Sequence, residues 1–327
     1  MRRASRVGER ALLAELLEIW RRPPRANLPV GPGDDAAVIA LSGNTVLTVD
    51  SIVAGQDWLP DQTPPDAVGH RAAAVNLSDL AAMGAVPRFL LVALELGADD
   101  DVDDVLEAAV GLARLCDPLN VTVIGGDIGI GAGPQRWTVT AVGEQRGHLL
   151  TRSCTRPGHR VWLVGDVGRA GLGLHALLHG RDDRQLRACI EAHLRPQPLI
   201  AAGLRLAELP GPIGAIDVSD GLWLDAARLA GESRCALRIQ LPRPSWMSPE
   251  RETLCRELGW DWRDGCATGG DDYALLVTAP WEQDVAAALA GVCAAVPIGI
   301  AEVGEGVQMD VDSRRLAGPP QGYLHGD

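Results

Sequence analysis

Apolar residues recur at helical spacing near the start of the chain, where Leu12, Leu13, Leu16, Leu17 and Trp20 fall on one stripe. The spacing predicts an amphipathic helix over residues 9–20, ended by Pro23 and Pro24. The period then changes. Thr45, Leu47 and Val49 alternate with Val46, Thr48 and Asp50, as a strand requires. Residues 67–75 return to helical spacing and lead into VNLSDLAAMGA, residues 75–85, which reads as a strand end turning into a well-packed helix. RFLLVALELG reads as a strand. VDDVLEAAVGLARLC reads as an amphipathic helix with acids in its first turn, where they suit the dipole. NVTVIGGDIGIGAG reads as a strand running into a glycine-rich loop, and WTVTAVGE as another strand.

The polar stretch LLTRSCTRPGH marks a boundary, after which the alternation resumes. RVWLVGDVG, the start of AIDVSDGL, RCALRIQL, the end of TGGDDYALLVTAP, VPIGIAEVG and VQMDV predict strands. Helices are expected after GDVGRAGLGL, in HLRPQPLIAAGLRLAEL, after the IDVSDG turn and over WEQDVAAALAGV. Two mixed layers of similar size follow. The expected class is α/β (α+β) with domains 1–147 and 148–327.

Acidic turns punctuate this pattern. GPGDDAAVI, IGGDIG, IDVSDGL and TGGDDY each adjoin an apolar strand-like run, and Asp50 ends another. Taken alone, Asp79 reads as a helix cap and the others as aspartate-rich turns. Taken together, carboxylates from several turns are the donors that oxygen-seeking divalent cations need. The acids Asp99, Asp100, Asp101, Asp103 and Asp104 fit a solvated helix start instead.

Composition narrows the chemistry. The formal net charge of −13 argues against a nucleic-acid surface. No apolar run reaches membrane-spanning length, and Glu9, Arg10, Glu15 and Glu18 interrupt any signal-peptide core. Seven cysteines without a CxxC pair suit reduced thiols in the cytoplasm. All 30 basic residues are arginine, so no Walker A lysine exists. Any nucleotide is held by another device, and cations bridging carboxylates to phosphates supply one.

GPGDDAAVI, TVDSIVAGQDW, AVNLSDLAAMGA, IGGDIG, LTRSCTRPG, HLRPQP, AIDVSDGL and TGGDDYALL occur in the order found in thiamine-monophosphate kinases. The chain resembles that family from about residue 8 to 325. The family lies in the aminoimidazole ribonucleotide synthetase-like superfamily of ATP enzymes. The resemblance implies a two-domain fold whose N-terminal sheet pairs across a homodimer. It also implies ATP and several Mg²⁺ ions in a cleft, with thiamine monophosphate beside them. Asp35, Thr48, Asp50, Asp79, Asp127, Asp217 and Asp220 match metal-ligand positions, and Val49 matches one at which it offers only a carbonyl. Gly126, Asp127, Arg152 and Ser219 match ATP-contacting positions. Asp79, Asp127 and Asp220 are the implied catalytic set, with no covalent nucleophile. Asp57, Asp271 and Tyr323 match acceptor-contacting positions.

The chain departs from the family at three of these places. Asp57 stands where a histidine is usual, Asp271 where glutamate is usual, and Ile128 follows GGD where a hydroxyl residue is usual. The expected reaction is phosphorylation of thiamine monophosphate to thiamine diphosphate by in-line transfer from ATP. The alternatives are a paralogue that phosphorylates or activates another small acceptor, and a non-catalytic nucleotide-binding protein. The hydrogenase-maturation branch of the superfamily needs a C-terminal cysteine, but the last one here is Cys293. The selenophosphate branch needs an early cysteine and a lysine, and neither is present.

Overall fold

The computed structural model describes residues 2–23 and 25–323. The part that Pro24 plays in ending the first helix, and the last four residues of the tail, fall outside these. The chain divides into two compact units, one of residues up to Leu80 with Val86–Gln145, the other of Ala81–Ala85 with the residues from Arg146 on.

The first unit holds α1 (Ala4–Val7), α2 (Glu9–Trp20), β1 (Thr45–Val53), most of α3 (Pro65–Ala82), β2 (Ala85–Gly97), α4 (Val102–Cys116), β3 (Thr122–Gly131) and β4 (Arg136–Gln145). Its four strands run in the order β1-β4-β2-β3, with β1 antiparallel to β4 and β2 parallel to β3. The stripe predicted on α2 is the one buried, through Leu12, Leu16 and Trp20. Asp101 caps α4 by accepting the Asp103 N–H at 3.2 Å.

Two expectations change here. Residues 75–82 are not a strand end but the second half of α3, which is buried on nearly all sides. Asp79, which alone would read as a cap, lies in the last turn of this helix; Asn76 and Ser78 are fully buried inside it, and Asn76 Nδ2 donates to the Ala72 carbonyl at 3.1 Å. The stop comes at Gly84, whose φ of +65° turns the chain and whose N–H returns to the Ala81 carbonyl at 3.0 Å. The glycines after Ile124 are likewise not a loop. They continue β3, because Gly126, Asp127 and Gly129 pair with Val92, Ala93 and Glu95 of β2.

The second unit holds β5 (Arg160–Val164), α5 (Arg169–Leu178), α6 (Arg187–Leu194), α7 (Ile200–Leu206), β6 (Gly214–Val218), α8 (Leu222–Ser233), β7 (Ala236–Leu241), α9 (Pro249–Glu257), α10 (Trp262–Thr268), β8 (Ala274–Ala279), α11 (Val285–Ala288), β9 (Ala295–Glu302), β10 (Val307–Val311) and β11 (Arg314–Arg315). These strands form one sheet, ordered β11-β10-β7-β9-β5-β8-β6, in which only the β10–β7 pair is parallel. Its core packs Val161, Leu163, Ile216, Val218 and Leu276 against Leu222, Trp223, Ala226 and Leu229 of α8. β6 and β8 are buried at every position, as their continuous apolar runs suggest. The helix expected over 281–292 is reduced to the single turn of α11, with Asp284 capping it through the Ala287 N–H. Helices α6, α9 and α10 were not anticipated.

Candidate active site

In the first unit the acidic positions fall into two groups. Thr48 and Asp50 project from one side of β1, and Val49 from the other, where its side chain is 61 % exposed. Val49 can therefore offer only its carbonyl. The Thr48 hydroxyl donates to the Asp79 carboxylate at 2.5 Å, so strand and helix present two oxygens side by side. Asp50 accepts the N–H of Ser51 at 2.8 Å.

The position of Asp79 is informative. It lies in the last turn of α3, a turn with no basic residue. A carboxylate there opposes the negative end of the helix dipole, and a half-buried one also loses hydration. A bound cation would relieve both costs.

The second group surrounds a cavity of about 940 Å³ in the same unit. Asp35, Gly126 and Asp127 line it, together with Leu16 and Trp20 of α2 and Thr138 and Thr140 of β4. The loop that carries Asp35 is held down by Leu28, Ala37, Ile39 and Leu41, which pack on Phe89, Ile124 and Val142. Gly126 is glycine for a packing reason, since a Cβ there would meet the Val92 carbonyl oxygen at 1.7 Å. The residue is nonetheless exposed and lines the cavity, so its other side is open to a phosphate. Asp57 has a local task in the turn after β1, where its carboxylate accepts the Val53 N–H at 2.7 Å.

In the second unit the Ser219–Asp220 turn, between β6 and α8, is the hub. Asp225, one turn into α8, accepts the N–H groups of both Ser219 and Asp220 at 3.0 Å. The Ser219 carbonyl accepts the Asp271 N–H, and the Asp220 carbonyl the Tyr323 N–H, both at 2.8 Å. Arg228 contacts Asp220 at 2.5 Å and Asp225 at 2.7 Å through one nitrogen. Burial pushes the Asp225 carboxyl up to about 6, although Arg228 and the Asp220 N–H pull it down. Asp217 sits just before the turn on β6 and is buried. Asp271 has a left-handed φ of +67°. Its carboxylate accepts the Tyr273 hydroxyl at 3.2 Å and lies 3.6 Å from the His193 ring.

Its neighbour Asp272 turns the other way. It accepts the N–H groups of Gly168 at 2.5 Å and Ala170 at 3.0 Å, at the start of α5. Burial pushes its carboxyl up to about 7 against the pull of those two bonds. Arg152 is exposed, in a single 3₁₀ turn. Arg228 and His193 were not anticipated from the sequence. For Arg228 a signal existed, because it lies three residues from Asp225 on the helix that opens at the acidic turn.

Among the described residues no three His, Cys, Asp or Glu side chains converge on one point. The donors nonetheless suit Mg²⁺. They are all oxygens, and this ion takes one or two carboxylates and completes its shell with water and substrate phosphates. Thr48 with Asp79 is a set of that size.

The N-terminal domain model of AIR synthase related proteins matches residues 33–145, and the C-terminal domain model matches 156–312. Thiamine-monophosphate kinase of Escherichia coli O157:H7 is 36% identical over 282 residues, covering 84% of this chain and 83% of that protein. The Bacillus subtilis (strain 168) kinase is 29% identical, covering 85% and 86%. The crystal structure of thiamine-monophosphate kinase from Stenotrophomonas maltophilia K279a superposes with a TM-score of 0.77 at 32% identity, covering 91% and 94%. The structure of AaThiL complexed with AMPPCP and TMP superposes with a TM-score of 0.75 at 29% identity, covering 99% of each chain. A hydrogenase maturation protein, HypE, shares the fold at 20% identity and a TM-score of 0.75.

Proposed function

The chain belongs to the thiamine-monophosphate kinase family of AIR synthase related proteins, and we propose that it transfers the γ-phosphoryl group of ATP to thiamine monophosphate. The products are thiamine diphosphate and ADP. An oxygen of the acceptor phosphate attacks the γ-phosphorus in line as the ADP oxygen leaves, so no covalent enzyme intermediate is needed. The observation in this chain that carries the reading is Asp79, set against the helix dipole and beside the Thr48 hydroxyl.

Mg²⁺, when bound, supplies the positive charge that lets two phosphate-bearing substrates approach. We assign its ligands to Asp35, Thr48, Asp50, Asp79 and Asp127 with the Val49 carbonyl on the first unit, and to Asp217 and Asp220 on the second. Thr48 keeps one Asp79 oxygen in place by donating to it. Gly126 gives ATP a bare stretch of backbone, and Asp127 lies next to it. The exposed guanidinium of Arg152 is free of the hydration cost of a buried cation and can pair with phosphate oxygens. Ser219 offers its hydroxyl from a turn that Asp225 holds still. Asp57, Asp271 and Tyr323 are assigned to the acceptor. The decisive assay supplies ATP, Mg²⁺ and thiamine monophosphate and follows thiamine diphosphate by mass spectrometry. ATP consumption without that product, or a preferred product from another acceptor, overturns the assignment.

The same reading makes the protein a homodimer. β1 is an edge strand, and Leu47 and Val49 are 65 % and 61 % exposed on one of its sides. Bare apolar side chains on an edge strand invite a partner sheet. Light scattering at low micromolar concentration should give twice the mass of one chain, and a monomer there refutes the pairing. We place the enzyme in the cytoplasm. Its seven cysteines are all free, and no described helix is long and apolar enough to cross a membrane. Seven titratable thiols in the purified, unreduced protein are expected, and fewer would count against a reducing compartment.

A further inference from the structure

The Ser219–Asp220 turn is held on every side but one. Its N–H groups are fixed by the buried Asp225, and its carbonyls by the N–H groups of Asp271 and Tyr323. None of these four bonds involves the Asp220 carboxylate. That group meets Arg228, whose nitrogen lies 2.5 Å from Asp220 Oδ2 and 2.7 Å from Asp225 Oδ1. The two acids differ in access, since the Asp225 side chain is 1 % exposed and that of Asp220 is 25 % exposed. Arg228 itself is 36 % exposed, so its head can move. An ion pair in contact with water is weak, whereas removing the cation from a buried carboxylate is costly. Both contacts are short, but parting the arginine from the buried Asp225 costs more than parting it from the solvent-reached Asp220.

We propose that Arg228 is an internal counter-cation for Asp220, which it holds until a divalent cation displaces it, pivoting on Asp225 as it lets go. The proposal rests on the reading that Asp220 is a metal ligand. Asp220 has two carboxylate oxygens, but a guanidinium 2.5 Å from one of them repels a divalent cation arriving at the other, so the two cations compete for this group. Metal binding at Asp220 is thus an exchange of one cation for another. The exchange keeps Asp220 neutralised and correctly placed before substrate arrives, and it lowers the affinity of the bare protein for the metal. Arg228 is a positioning residue in this scheme, since it acts through Asp220.

The test is a double-variant cycle on the full chain, read by calorimetric titration with Mn²⁺ as the probe ion. Arg228→Gln keeps an amide donor for Asp225 and deletes the charge. It should bind Mn²⁺ roughly 5- to 10-fold more tightly than the wild type, the size of an ordinary coupling between sites. Asp220→Asn should bind more weakly, and adding Arg228→Gln to it should change nothing further. If Asp220→Asn binds as the wild type does, Asp220 is not a ligand and the underlying reading fails. If Asp220→Asn weakens binding but Arg228→Gln leaves it equal or weaker, the exchange alone is wrong. Equal tightening by Arg228→Gln in both backgrounds also overturns it, because the effect is then general charge. A second readout needs no variant. The side-chain ¹⁵N–¹H signal of Arg228 in the wild type should shift on titration with Mg²⁺. An unmoved signal at Mg²⁺ saturation refutes the exchange.

Discussion

The two units present their acids in opposite ways. In the first, Asp35, Asp50 and Asp127 are exposed, and Asp79 sits against its helix dipole beside one hydroxyl. In the second, the Ser219–Asp220 turn has its backbone bonded on both sides, and its carboxylate already meets an arginine that it shares with Asp225. The first arrangement leaves carboxylates within reach of a ligand. The second already holds its reachable carboxylate against a cation. The contrast teaches that acids at one reaction can be kept for different reasons, and that stability and activity should separate between the units.

The strongest way to break the contrast is Asp79→Asn. The amide oxygen can still accept from Thr48, so the fold should hold, and removing a charge from the last turn of α3 should leave stability equal or slightly higher. Turnover should fall by roughly 10²–10³-fold, the usual size for loss of one electrostatic stabiliser. Chelating the divalent cation from the wild type should abolish it. Kinetics alongside urea unfolding decides the matter. Turnover within about 3-fold of wild type, well short of that usual loss, removes Asp79 from the reaction.

The second unit should show the reverse, and Asp272 sharpens the comparison. Its carboxyl is raised from an ordinary value near 3.8 to about 7, chiefly by burial. Between those values the folded protein keeps a proton that the unfolded chain has released. Stability from this group is therefore complete at the acid end and declines as pH rises towards 7. The loss is on the order of 2–4 kcal/mol across that window. Acids with lowered values, such as Asp101 and Asp261, push the opposite way at lower pH. Comparison with Asp272→Asn isolates the effect. The amide cannot titrate, so the variant should lose the decline between about pH 4 and 7. An unchanged pH profile of unfolding free energy shows that Asp272 is charged throughout.

Much of this was legible in the chain. The NLSD run pointed at Asp79, and the alternation at 45–50 put Thr48 and Asp50 on one side of a strand. What misled was chemistry that usually means something else. Asp79 reads as a cap at a helix start, and only the length of α3 shows that it lies in the last turn instead. Glycines at 125, 126 and 129 read as a loop, and β2 makes them a strand by supplying a parallel partner. The spacing of Arg228 from Asp225 hinted at a pair, but its contact with Asp220 exists only once α8 sets the three side by side. Asp271 and Asp272 are adjacent in sequence, yet one faces Tyr273 and His193 and the other caps α5.

The smallest expected effect concerns the acceptor, where both units depart from the residues usual in the resembling kinases. An ionised Asp57 can only accept hydrogen bonds, and its carboxylate already takes the Val53 N–H at 2.7 Å. It cannot donate to an acceptor phosphate as a histidine can. Asp271 is engaged by the Tyr273 hydroxyl, and it reaches about 1.5 Å less far than glutamate, one C–C bond. Each change removes a charge-assisted contact worth about 1–3 kcal/mol when well formed, though both sites are partly solvated and the lower end applies. The double variant Asp57→His, Asp271→Glu should therefore raise kcat/KM for thiamine monophosphate by roughly 10-fold, with KM for ATP unchanged. Asp57→His also gives up the Val53 bond, so urea unfolding should show a loss near 1 kcal/mol. Steady-state kinetics on both proteins checks the claim. A double variant no better than the wild type means that the chain has re-formed its acceptor contacts elsewhere, and that both departures are silent.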